Sequence, residues 1–360
     1  MQIPMRFWAL GILCLLASGP CYLWGQGDST AWEQYTRAAM NAVQRGNLAE
    51  AEKQYLAALM EAESFGPEDP RLATSLSRLA GFYISQRKFL EAESLYERAI
   101  SIQEKTLGPQ HPDLATNLVR MAATVIQQGK YPVAESIYRR ALTILEVTGG
   151  SEYRRLFLGL RELADLYANQ GKYDDAERLY KLVLAIQEKA MGPENLELAT
   201  SLNKLGGVYS IQRMYEEAEP LYQRAVAITE KSLGPDHPNL ATNLHSLAGI
   251  YEGRGKVVEA GTLYKRAVAI MEKSFGPDHL ILFNFLYSLA TLYQMERQYG
   301  QAEPLYKRSL NLFEKSAGPE NPTLAVILEE YAFLLRRMFR NEEAAGLETR
   351  AKAIRALQPQ

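Results

Sequence analysis

Cysteine is nearly absent from this 360-residue chain. The two that occur, Cys14 and Cys21, both stand near the N-terminus. If that segment is removed on export, no thiol remains, which excludes a disulfide framework and thiol chemistry. Histidine is scarce too: His111, His237, His245 and His279 are the four. His237 and His245 are eight residues apart, about 12 Å along a helix, too far to share one metal ion. No HExxH, no phosphate-binding GxxxxGKS/T and no carboxylate cluster occurs. No catalytic, cofactor or metal site is assigned, and the chain reads as a non-enzyme. Charge of one sign is not in excess either. The 40 basic and 42 acidic residues are interspersed and leave a net charge of −2, so no basic field points to nucleic acid.

The N-terminus has a short apolar run, Phe7–Ala17, preceded by Arg6 and followed by small residues. A spanning helix needs about 20 apolar residues. The pattern predicts a secretory signal peptide over 1–27, cut near Gly25 or Gly27, so that the mature chain begins near Gln26 or Asp28 and is periplasmic or secreted. Two alternatives keep the chain at a membrane. The segment is retained as an anchor, or Cys21 becomes a lipidated N-terminus of a cell-envelope lipoprotein. Pro20 departs from the small residue usual before such a cysteine.

What the sequence has in abundance is repetition. Glycines fall at Gly66, Gly108, Gly150, Gly192, Gly234, Gly276 and Gly318, each 42 residues from the last. The same step recurs in leucine (Leu76, Leu118, Leu160, Leu202, Leu244, Leu286, Leu328) and in alanine (Ala92, Ala134, Ala176, Ala218, Ala260, Ala302, Ala344). Three registers with one period mean a repeat array, in which each unit packs only on its neighbours. The array is expected over 28–357, in about eight units: 31–65, 66–107, 108–149, 150–191, 192–233, 234–275, 276–317 and 318–357.

The unit Gly234–Phe275 shows the local physics. Leu240, Leu244, Leu247, Ala248 and Tyr251 recur at helical spacing. Pro238 suits a first helical turn, where its missing N–H has no partner anyway. The slot before it holds Asp69, His111, His237 or Asn321, which reads as a cap, so three of the four histidines are turn or cap residues. Gly129, Gly171 and Gly255 share a slot where positive φ is expected. A second helix carries Ala260, Leu263, Tyr264, Ala267, Val268 and Ile270. Its tyrosine and alanine are expected to meet as knob and hole. Neither helix buries its apolar face alone.

These slots resemble the tetratricopeptide repeat. In Gly66–Leu107 the signature reads Leu76, Leu79, Ala80, Tyr83, Ala92, Tyr96, Ala99. The period of 42 rather than 34, the Gly-Pro-x-His-Pro connections and the LATxL and EAExLYKRA wording are similar to the kinesin-light-chain subclass. The resemblance runs from Trp32 to about Leu357. It implies an all-α fold, a right-handed superhelical solenoid of stacked helix-turn-helix repeats. It also implies a non-catalytic scaffold that binds a protein or peptide in a groove lined by the first helices. A subunit of a larger assembly or enzyme complex is the alternative.

Carrying that geometry over slot by slot, three rows should face the groove. One is Ser77, Val119, Arg161, Asn203, His245, Tyr287 and Glu329. The second is mostly small: Gly81, Ala123, Asp165, Gly207, Gly249, Thr291 and Phe333. The third is Thr74, Thr116, Leu158, Thr200, Thr242, Asn284 and Val326. The first row varies between units while the packing rows do not. Arg161, Asn203, His245 and Tyr287 are therefore the candidate partner-binding residues, the last three expected not to pack between repeats.

Overall fold

The computed structural model describes residues 31–148 and 152–357. The expected signal peptide, both cysteines and Gly150 lie outside the described residues. The described residues are all-α: sixteen helices in eight pairs, with no strand among them. The first four pairs are α1 (Ala31–Gln44) with α2 (Leu48–Ser64), α3 (Pro70–Ser85) with α4 (Phe89–Leu107), α5 (Pro112–Ile126) with α6 (Tyr131–Thr148), and α7 (Tyr153–Asn169) with α8 (Tyr173–Met191). The others are α9 (Leu196–Ile211) with α10 (Tyr215–Leu233), α11 (Pro238–Gly253) with α12 (Val257–Phe275), α13 (Leu282–Met295) with α14 (Tyr299–Ala317), and α15 (Pro322–Arg337) with α16 (Asn341–Ala356). The chain divides into two compact units between Leu166 and Tyr167, within α7. In the first unit α1 to α6 pack in sequence order, and in the second α8 to α16 do so.

The first helices begin where the caps predict. Asp69 Oδ1 accepts the Arg71 N–H at 2.9 Å, and Asn195 and Asn321 accept at 2.9 Å from Glu197 and Thr323. The imidazole Nδ1 atoms of His111, His237 and His279 do the same for Asp113, Asn239 and Ile281, at 3.3, 3.1 and 3.2 Å. Those three histidines are cap and turn residues, satisfying N–H groups that a helix start leaves without partners.

The two kinds of turn explain the glycine register. At the ends of α4, α8, α10, α12 and α14 the glycine sits at φ 83 to 90 and ψ 161 to 169, as at Gly192, a region open essentially to glycine alone. The turn inside each pair is only left-handed. Gly129, Gly171 and Gly255 occupy it with φ of 74, 75 and 74, but so do Arg87, Arg213, Arg297 and Phe339 at 59 to 61. A left-handed residue with a side chain costs roughly 1–2 kcal/mol. That is tolerable, so this slot varies while the other does not.

The second helix of one repeat and the first helix of the next meet at residues 14 apart. Asn117 donates to Gln103 Oε1 at 2.9 Å, and Asn243 donates to Thr229 Oγ1 at 2.7 Å. Further along, Met271 and Phe285 share one apolar cluster, and Ile327 and Phe313 another. Polar seats face polar and apolar face apolar. Tyrosine rings of the second helices seat against first-helix glycines, slots other than the expected alanine: a Cβ on Gly206 would lie 2.7 Å from the Tyr222 ring, and one on Gly159 would lie 2.1 Å from Tyr138 Oη. On the second helices an ion-pair ladder joins repeats, including Arg98–Glu63 at 2.8 Å, Arg140–Glu104, Arg224–Glu188, Arg266–Glu230 and Arg308–Glu272. Such half-exposed pairs contribute about 0–1 kcal/mol each, so they set register more than stability.

One seat is unsatisfied. Gln187 and Ser201 are fully buried, and Gln187 Nε2 and Oε1 and Ser201 Oγ lack hydrogen-bond partners among the described residues. A buried polar group without a partner is costly, and replacing both members by apolar groups removes that cost. Gln187→Leu combined with Ser201→Ala should therefore raise stability by about 1–2 kcal/mol in denaturant unfolding. A loss of similar size would contradict this reading of the seat.

Candidate functional site

In the first unit α3 touches α5, and in the second α9 touches α11, both pairs being first helices of consecutive repeats. First helices thus approach one another on one side within each unit. On that side of the second unit, Thr200, Thr242 and Asn284 are exposed, and Val326 and Phe333 are 45% and 47% exposed. Gly207 and Gly249 are half-buried between them. A Cβ built there would meet only the hydroxyls of Tyr222 and Tyr264, at 3.7 and 3.6 Å, which is ordinary contact. Tyr264 is anchored from below, donating to Glu252 Oε2 at 3.0 Å. Burial raises the pKa of that carboxyl. A niche of about 380 Å³ opens between α9 and α11, lined by Leu196, Glu197, Ala199, Thr200, Asn203, Thr229, Asn239, Thr242 and Asn243. On the other side, a cleft of about 440 Å³ runs between α8 and α10, with Leu205 and Tyr209 in its lining and Lys181, Glu188 and Glu217 around it.

The four sequence-predicted residues do not form one group. Arg161 lies in the first unit, half-buried and outside any ion pair among the described residues. The other three lie in the second unit, and the expectation that they do not pack between repeats is corrected. Asn203 donates to Asn243 Oδ1 of the next repeat at 2.6 Å, and Asn243 continues to Thr229 and to the Ala225 carbonyl at 3.3 Å. His245 is wedged between Tyr264 and Phe285, with centroids 5.1 and 5.0 Å away, and its Nε2 lies 2.9 Å from Ser288 Oγ. Tyr287 packs 5.9 Å from both Phe283 and Tyr306 of its own repeat and against the cluster of Leu324, Ile327 and Leu328 in the next one. In the second unit Asn203, His245 and Tyr287 each answer a neighbour one repeat away. They are joints between repeats whose outer edge borders the open face. The positions with free surface are those of the other two rows, Thr200, Gly207, Thr242 and Gly249. Asn243 was missed. Its signal was the polar pairing 14 residues apart, visible at Gln103 with Asn117 and at Thr229 with Asn243.

Among the described residues no group of three or more His, Cys, Asp or Glu could hold a metal ion, and no helix is long and apolar enough to cross a membrane.

Burial lowers the His245 pKa below its ordinary 6.5, with a backbone hydrogen bond at Asn284 opposing. The unfolded chain thus takes up the proton more readily. The stability held by neutral His245 is full above about pH 6.5 and is lost as pH falls through the folded-state value. Thermal melts at pH 7.5 and 5.5 should show a loss on acidification that shrinks in His245→Phe. An identical pH slope in both proteins would contradict this.

Comparisons with known proteins agree with the geometry. The tetratricopeptide-repeat family model matches residues 71–146, 156–231, 202–257, 239–315 and 282–356. No curated protein matches the chain. A crystal structure from Podosopora anserina, described as a kinesin light chain with nearly identical TPR-like repeats, is 29% identical. It covers 57% of this chain and 98% of its own, with a TM-score of 0.51. The C-terminal part of a TPR repeat-containing protein from Cytophaga hutchinsonii is 16% identical and covers 81% of this chain and 98% of its own, with a TM-score of 0.56. The latter likeness is one of fold.

Proposed function

The chain belongs to the tetratricopeptide-repeat family, and we propose that it is a non-catalytic scaffold that binds an extended peptide or partner segment on the first-helix face of its second unit. Proteins of this family are generally scaffolds for other proteins, and the similarity to a kinesin-light-chain array points the same way. The observation that carries the reading is the open strip formed by Thr200, Gly207, Thr242 and Gly249 beside the polar niche. Small residues leave room for a ligand backbone to come close, and hydroxyls and amides at the rim offer donors and acceptors. Asn203 lines the niche, and Asn203, His245 and Tyr287 join successive repeats. Arg161, in the first unit, is a separate contact candidate.

Alanine at Asn203, His245 and Tyr287 is a poor probe, since it also breaks joints between repeats. Gly207→Gln with Gly249→Gln fills the strip instead. Neither Cβ clashes, and replacing a mid-helix glycine gains a few tenths of a kcal/mol in helix propensity. Melting should be unchanged or raised. Affinity for a partner obtained by pull-down should fall about tenfold or more, or ~1.4 kcal/mol. Unchanged affinity in titration, with sensitivity instead to Leu221 or Lys181 at the opposite cleft, would move the site there.

The export reading rests on residues 1–27 alone. We propose a secreted or periplasmic location, with the mature protein starting near Gln26 or Asp28. N-terminal sequencing and mass of the protein from its native host decide this. A chain starting at a modified Cys21 would make it a lipoprotein, and an intact N-terminus would contradict cleavage.

A further inference from the structure

The helix starts on the two sides of the niche are capped by different chemistry. On α9 the cap is Asn195, whose amide oxygen accepts the Glu197 N–H. On α11 it is His237, whose Nδ1 accepts the Asn239 N–H at 3.1 Å. That bond needs a bare Nδ1, so the ring carries its one proton on Nε2. An imidazole ordinarily takes up a second proton near pH 6.5. Here it would go on Nδ1, which then donates and no longer accepts, and the new positive charge would face the unpartnered N–H groups of the first turn. His237 is half-buried and Asn239 exposed, so the proton reaches the cap from solvent. The other caps at this slot do not answer acid in this range. Asn195 and Asn321 carry amides, and on α3 the Arg71 side chain holds the Asp69 carboxyl below the usual carboxylate range. Charges around the start of α11 are already paired: Asp236 of the same turn with Lys273 of α12, and Lys231 of α10 with Glu194. From α9, Glu197 lines the niche. The other imidazole of α11, His245, stands eight residues further on, between Tyr264 and Phe285. The capping His111 of α5 differs, because Asp113 Oδ2 lies 3.8 Å from its Nδ1 and can pair with a protonated ring. On α11 the matching residue is the neutral Asn239.

We propose that His237 is a pH-sensitive latch on the docking niche: once protonated it lets go of Asn239, the first turn of α11 loosens, and a segment held there is released. The inference rests on the reading of this face as the docking site. Asn239 and Thr242, on the first turn of α11, line the niche opposite Glu197 and Thr200 of α9. One wall therefore depends on a cap that acid removes, and the other on a cap that acid leaves in place. The floor is held independently, by the Asn243 bonds to Thr229 and from Asn203, so acid alters the rim without dismantling the joint. The sign follows from the acceptor. Only the neutral ring accepts, so the latch is closed above the imidazole range and opens as pH falls through it.

The test measures amide-exchange protection in the full chain at pH 7.5 and 5.5, corrected for the intrinsic pH dependence of exchange. Residues 239–242 of α11 should lose about fivefold in protection on acidification, the effect of losing an N-cap. The first turns of α9 and α15 should hold, and that of α5 should lose less than α11. His237→Asn gives α11 the cap that α9 and α15 already have, so the protein should fold and the loss at 239–242 should vanish. His245→Phe should leave that loss in place, which separates the latch from the buried ring. Affinity for a partner obtained by pull-down should fall about fivefold between the two pH values in the unaltered chain and stay level in His237→Asn. Equal loss of protection at 239–242 in both proteins, or equal loss over α9 and α11, would overturn the proposal. Affinity that falls equally in both proteins would overturn the latch and leave the docking reading standing. Affinity untouched by Gly207→Gln with Gly249→Gln, while the exchange response at α11 is intact, would remove the docking reading and the release with it.

Discussion

Each repeat is held to the one before by the joint between a second helix and the following first helix. No single helix of this chain can bury its apolar stripe alone, and burial of a leucine or tyrosine contributes roughly 1.5–3 kcal/mol only when a neighbour covers it. The neighbour must therefore match in chemistry as well as in shape. Asn117 meets Gln103 and Asn243 meets Thr229 through hydrogen bonds, while Met271 and Phe285 lie in an apolar cluster. A polar residue placed opposite an apolar one would be left without a partner, at a cost of about 1–3 kcal/mol. This constraint lets the joints differ from one another while each stays internally consistent.

The fold was legible because its determinants are local and repeat with one step. Caps, the proline of the first turn and the glycine that ends each second helix all sit on the 42-residue register, and each has a backbone reason to be there. The site was less legible. Variation along the row of Asn203, His245 and Tyr287 looks like freedom from packing. In the structure it is packing against neighbours that themselves vary: Asn243 for Asn203, and Phe285 and Ser288 for His245. A single sequence read slot by slot does not show such pairing unless residues from adjacent repeats are compared.

With the joints set aside, the surface proposed for a partner is confined to the first-helix side of the second unit. In the second unit it is a strip of hydroxyls and glycines over a tyrosine floor. This separation of joint from surface is how a repeat array can change what it binds while remaining folded.

The central claim is that the second unit meets its partner with its first helices. Amide hydrogen exchange of the chain with and without a saturating partner tests it most directly, since exchange reads which helices a ligand covers. The account predicts added protection over α9 and α11, concentrated at Leu196–Gly207 and Pro238–Gly249, with α10 and α12 unchanged. Protection confined to α8 and α10, around Leu184 and Leu221, would contradict it.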